Sequence, residues 1–266
     1  MKTTIGLISC VLIFFFAIAG GNYLHLWLSI LPSSFFTHSL MLLLSGSLIY
    51  VYRNQIPFRL ASIKLTSIPK IILIALGVTI GINFLTTFIL LASGSEGAME
   101  RHFAFSDMTS LQFFFFIVIC APIGEEFLFR GFLQNMLCSF SSRKIRIFRI
   151  CFSWPVIISG LLFGLSHFIL LKTGASIAFT MKTFVFSTFL GITAGYFQEK
   201  QNNTLAAIIV HMTGNLPGFL ATLLITLIRF PKNSDIRNRG SAKFPYYLTV
   251  IWNILTEFHY FCKKSK

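Results

Sequence analysis

Seven or eight stretches of this chain are long, apolar and free of Asp, Glu, Lys and Arg, and that property restricts its fold more than any other. Residues 3–52 hold enough for two spans, divided around Gly20 to Asn22; 71–95, 108–124, 150–171, 183–198 and 201–228 follow, with a shorter run at 244–256. A helix needs roughly 20 mostly apolar residues to cross a bilayer, and within lipid its backbone groups must be bonded inside the segment. The expected fold is therefore all-α, a polytopic membrane bundle of seven transmembrane helices, or eight if the last run crosses. The first run, after Met1-Lys2, also has the outline of a secretory signal ending in small residues near Ala17 to Gly21. The apolar character of the rest favours an uncleaved first span.

Composition supports a lipid environment. Only 11% of the 266 residues are charged and 55% are hydrophobic, whereas a soluble domain carries about 25% charge. The formal net charge is +14, but the basic residues are interrupted by apolar runs and form no groove-sized patch. Anionic headgroups account for them more simply than nucleic acid, which is not an expected partner. The five cysteines, Cys10, Cys120, Cys138, Cys151 and Cys262, include no C-x-x-C pair and are read as small buried hydrophobes.

The basic loops set the orientation. Residues 53–70 carry Arg53, Arg59, Lys64 and Lys70 without an acid, and 143–149 carry Arg143, Lys144, Arg146 and Arg149. Both loops should be cytoplasmic, with the acidic 94–107 outside. The basic 229–243 loop breaks this pattern, because it falls outside if every later span crosses.

A charged side chain at a helix centre costs on the order of 2.5–3.5 kcal/mol on insertion scales, so it normally faces a partner or a water-filled cavity. Glu125 and Glu126 follow the run Leu111 to Gly124, which has no ionisable acid or base, and precede Phe127-Leu128-Phe129-Arg130. Residues four apart share a helix face, so Glu126 can pair with Arg130. Glu125 then points elsewhere as a candidate general base. Pro122 withholds a backbone N–H just upstream, and Gly124 permits close approach. Two further i, i+4 pairs lie in apolar segments: Phe163 with His167, and His211 with Asn215. Polar residues in membrane bundles also serve as interhelical hydrogen-bonding glue, and either histidine alone fits that role. His25, His38, His102 and His259 fall near expected span ends or loops and are read as structural; Lys172 and Lys182 are placed to snorkel.

In order, these residues spell E-E-x-x-x-R, F-x-x-x-H and H-x-x-x-N, each on its own apolar segment. The set resembles the CAAX protease and bacteriocin-processing family of intramembrane proteases, over about residues 108–226. The resemblance implies three regions: N-terminal transmembrane helices to 107, a protease core over 108–226, and a basic loop with a C-terminal helix over 227–266. It also implies an intramembrane peptidase in which Glu125 activates water, His167 helps hold it, and His211 and Asn215 stabilise the oxyanion. Glu126, Arg130 and Phe163 would brace the site. Zinc held by Glu125, His167 and His211 is the alternative. The metal-free form is favoured because no H-E-x-x-H pairing presets two imidazoles on one helix and Asn215 suits an oxyanion donor. The implied substrate is a peptide or a membrane-associated protein, and the implied location a cell membrane, as in bacterial relatives tied to bacteriocin processing or immunity. A non-catalytic scaffold or self-immunity protein is the competing class. A proton-coupled transporter fits less well, since no inverted repeat is visible.

Overall fold

The computed structural model describes residues 2–95, 108–147 and 149–229. The chain divides into two compact units, Met1–Leu223 and Leu224–Lys266. Of the second, only the end of the last helix falls among the described residues, so the basic 229–243 loop and the run at 244–256 lie almost wholly outside them.

Seven helices among the described residues are long and apolar enough to cross a membrane: α1 Lys2–Leu28, α2 Ser33–Val51, α3 Leu65–Ala92, α4 Ser110–Gln134, α5 Trp154–Thr173, α6 Ile177–Gln201 and α7, whose apolar part is Thr204–Ala221 within a helix running Thr204–Arg229. The fold is all-α and polytopic, with a single two-stranded hairpin, β1 Lys144–Ile147 and β2 Ile150–Ser153, among the described residues.

Two boundaries differ from the sequence expectation. α1 runs unbroken through Gly20-Gly21-Asn22, and the chain turns instead at Ser29, with φ 30°, ahead of Pro32. The glycines serve packing, not chain reversal: a Cβ at Gly21 would strike Thr37 and one at Gly20 would stand 2.9 Å from Leu40, both on α2. The run 150–171 is not all helix either. Its first four residues form β2, and α5 starts at Trp154 with Pro155 in its first turn, where a missing N–H costs nothing. Cys138 and Cys151, in the connection between α4 and α5, are exposed, contrary to their reading as buried; Cys10 is buried and Cys262 lies outside the described residues.

α5 and α6 approach closely along glycines. Gly160 and Gly164 on α5 meet α6, where a Cβ at Gly160 would lie 2.8 Å from the Ile192 nitrogen and one at Gly191 would lie 3.1 Å from the Gly160 Cα. Small residues four apart on facing helices give van der Waals contact where lipid supplies no hydrophobic drive. One cluster of buried side chains joins α1, α2 and α4 around Met41, Leu128 and Phe132; another joins α3, α6 and α7 around Ile71, Leu190 and Val210.

α4 alternates between α-helical and π-helical turns, with π segments at Phe114–Cys120 and Phe127–Gln134 flanking Ala121–Glu126. π-turns displace the backbone ladder, and each segment has a carbonyl capped from another helix. Ala121 donates to the Phe116 carbonyl; Pro122, the next residue in that register, has no N–H for Ile117. Asn215 of α7 supplies the donor, its Nδ2 lying 2.9 Å from the Ile117 oxygen. Likewise Asn135 donates to Phe132, and Gln198 of α6 bonds the Arg130 carbonyl at 2.9 Å.

The basic loops gather at one end of the bundle. Asn203, between α6 and α7, donates to the Ala61 carbonyl at 2.6 Å and accepts from the Ala61 N–H at 3.2 Å. Thr204 N–H bonds the Arg59 carbonyl at 2.9 Å, and Ser153 of the hairpin bonds Glu199 near the end of α6. Loop 52–64, the hairpin and the α6–α7 turn therefore share an end.

Candidate functional site

The non-π centre of α4 carries the two carboxylates, and they face different surroundings. Glu126 and Arg130 are fully buried. Arg130 Nη1 donates to Glu126 Oε1 at 2.9 Å, and the guanidinium carbon lies 4.7 Å from the centre of the Phe163 ring. Gly191 makes room for this cation, since a Cβ there would stand 2.5 Å from Arg130 Nη2. The same Glu126 oxygen accepts from Nδ1 of His211 at 2.8 Å.

His211 thereby links both acids. Its Nε2 lies 3.6 Å from Glu125 Oε2, which is electrostatic contact but too long for a hydrogen bond. Glu125 is only partly buried, its side chain 18% exposed. It is not left without a local partner, as the sequence suggested: His38 Nε2 lies 3.1 Å from its Oε1.

His167 stands at the junction where α5 tightens into a 3₁₀ stretch, His167–Thr173. Its Nδ1 lies 2.9 Å from the Phe163 carbonyl. A carbonyl only accepts, so Nδ1 carries the hydrogen and Nε2 of the neutral ring is an acceptor. Phe163 packs edge-on against both catalytic-candidate imidazoles, with ring centres 5.0 Å from His167 and 5.2 Å from His211. Asn215 spends one amide hydrogen on Ile117 and keeps a second.

Glu125, Glu126, Arg130, Phe163 and His211 are thus in one connected cluster, with His167 joined through Phe163. Asn215 reaches the same helix eight residues upstream of Glu125. His38 is the residue that sequence reasoning missed. By sequence it falls with the histidines near span ends, yet α2 places it on Glu125 from 87 positions away.

Glu125, His167 and His211, the alternative zinc ligands, are not brought together as a metal-binding group. No group of three or more His, Cys, Asp or Glu side chains among the described residues is placed to hold a metal.

Residues 107–217 match the family model of the type II CAAX prenyl endopeptidase Rce1-like proteins. This part of the chain is similar to that family. The Rce1-like segment covers somewhat less than half of the chain and contains all three motifs on which the resemblance rested. His38 lies outside it. No curated protein and no solved structure matches the chain. Seven helices long and apolar enough to cross a membrane make this a multi-pass membrane protein, and its Rce1-like segment resembles the core of a membrane endopeptidase family.

Proposed function

We propose that the chain is an intramembrane endopeptidase that uses Glu125 to activate water against a peptide bond in a membrane-associated peptide or protein. The observation that carries this reading is the division of labour within the Glu-Glu pair. Glu126 is sealed against Arg130 and His211, whereas Glu125 keeps some exposure and stands beside imidazole groups. A partly accessible carboxylate held among fixed polar groups is the arrangement general-base catalysis requires.

In this reading Glu125 takes a proton as water oxygen bonds to the carbonyl carbon. His167 Nε2 accepts from the same water and orients it. The second Asn215 amide hydrogen is a donor for the oxyanion, and His211, whose Nδ1 donates to Glu126, adds its Nε2 as the other in the doubly protonated form of the ring, pre-set before charge develops. The proton on Glu125 then passes to the departing amide nitrogen as the carbon–nitrogen bond breaks, yielding a carboxylate and an amine. No step requires a metal, and activity should survive removal of metals by a chelator, with purified protein containing no stoichiometric zinc.

The cytoplasmic leaflet of a cell membrane, bacterial by the resemblance, is the proposed setting. The test uses a panel of quenched-fluorescent peptides, including ones with a prenylated C-terminal Cys-a-a-X sequence, in proteoliposomes. Glu125→Gln should lower cleavage by about 10²–10⁴-fold, and His167→Ala and His211→Ala should also fall, with each variant present in the membrane at wild-type level. If Glu125→Gln retains full function, catalysis is excluded and a binding scaffold or immunity protein takes its place.

A further inference from the structure

We infer that His38 is a positioning residue for Glu125, an inference that rests on the peptidase reading above. The imidazole is fixed at both ends. Nδ1 lies 2.5 Å from the Ser34 carbonyl one turn earlier on α2, and Nε2 lies 3.1 Å from Glu125 Oε1. The backbones are fixed as well: a Cβ at Gly124 would stand 2.5 Å from the His38 carbonyl oxygen, so α2 and α4 touch beside this pair. A rotation or slide of α2 would be resisted by main-chain contact, not by a flexible side chain.

The consequence for Glu125 follows from its freedom. A glutamate has three side-chain torsions and loses rotamer entropy when it is held. Tying Oε1 to a ring that is itself anchored leaves Oε2 in a defined direction, on the side of His211. Oε2 is then the oxygen that meets water. Misplacing a reacting group by about 1 Å can cost on the order of 10²-fold in rate, so the hydrogen bond acts on turnover and not on substrate affinity. Nδ1 faces a carbonyl and so carries a hydrogen, which fixes the plane of the ring and aims Nε2 at Oε1.

The experiment compares His38→Leu, His38→Asn and His38→Gln with wild type on the cleavable peptides of the same panel, reading kcat and KM separately. The side-chain amide of Gln reaches about as far as Nε2 and can donate to Glu125; that of Asn stops short. His38→Leu and His38→Asn should each lower kcat by about 10²-fold with KM nearly unchanged, while His38→Gln recovers most of it. Asn keeps a polar side chain, so it carries the comparison if the Leu variant fails to insert. Equal loss in Asn and Gln, or unchanged kcat in both Leu and Asn, overturns the positioning role. Glu125→Gln separates the two ideas. An inactive Glu125→Gln beside an unaffected His38→Asn removes only this inference, whereas an active Glu125→Gln, or a wild type inactive on the whole panel, removes the peptidase reading and this inference with it.

Discussion

Glu126 and Arg130 form a fully buried ion pair whose energetics differ from those of a surface bridge. Desolvation cancels much of the attraction, yet removing one partner strands the other and costs about 3–5 kcal/mol. Here Glu126 has His211 as a second hydrogen-bonding partner, whereas the hydrogen bond of Arg130 among the described residues is to Glu126, with the faces of Phe163 and Phe129 beside it. Glu126→Gln should therefore destabilise the protein, and the double variant Glu126→Gln with Arg130→Met should be more stable than Glu126→Gln alone while remaining inactive. Thermal unfolding in detergent reads the order, and a double variant less stable than the single would contradict it. This pair was legible in the sequence because residues four apart on a helix must be neighbours. The His38 contact was not, since nothing local to α2 marks a partner 87 positions away.

At the scale of elements, α4 is the part that tertiary contacts shape most. Its π segments leave carbonyls that the helix does not satisfy, and amides from α6 and α7 complete them. The apolar run announced a span and Pro122 announced a gap in its ladder, but which side chain fills the gap depends on how α7 packs. The Gly160, Gly164 and Gly191 contacts were open to discovery, because small residues four apart are a known signal for close helix packing. Asn215 carries a testable consequence. Losing its hydrogen bond to Ile117 should cost about 1–3 kcal/mol, the range for stranding a buried polar group. In a Pro122→Ala background the restored N–H can serve Ile117, so Asn215→Ala should cost less there. A double-mutant cycle on unfolding measures the difference; equal losses in both backgrounds would show that Pro122 is not why Ile117 needs a donor.

For the whole molecule, the number and order of spans were readable from charge-free runs, because lipid leaves a helix few alternatives. Their ends were less so. The hairpin took the first residues of one run, where Ile145, Ile147, Ile150 and Phe152 alternate with polar or small neighbours through a paired register, a period-two pattern easily hidden inside a hydrophobic count. Orientation draws on both sources. Arg53, Arg59 and Lys64 lie in a loop bonded to the α6–α7 turn, and Arg143 to Arg149 lie in or beside a hairpin bonded to the end of α6. Two separate basic stretches at one end predict that end to be cytoplasmic by the bias of Lys and Arg in short loops. In a cysteine-free background, Gln55→Cys and Lys200→Cys should accordingly react with a membrane-impermeant thiol reagent only from the cytoplasmic side. Ser93→Cys and Thr173→Cys, both exposed at the opposite ends of their helices, should react only from outside. Labelling of Gln55→Cys and Lys200→Cys from opposite sides would break the shared end itself. Labelling of both from outside would keep the bundle and invert it, placing Glu125 nearer the outer half of the bilayer and requiring a substrate that arrives from there.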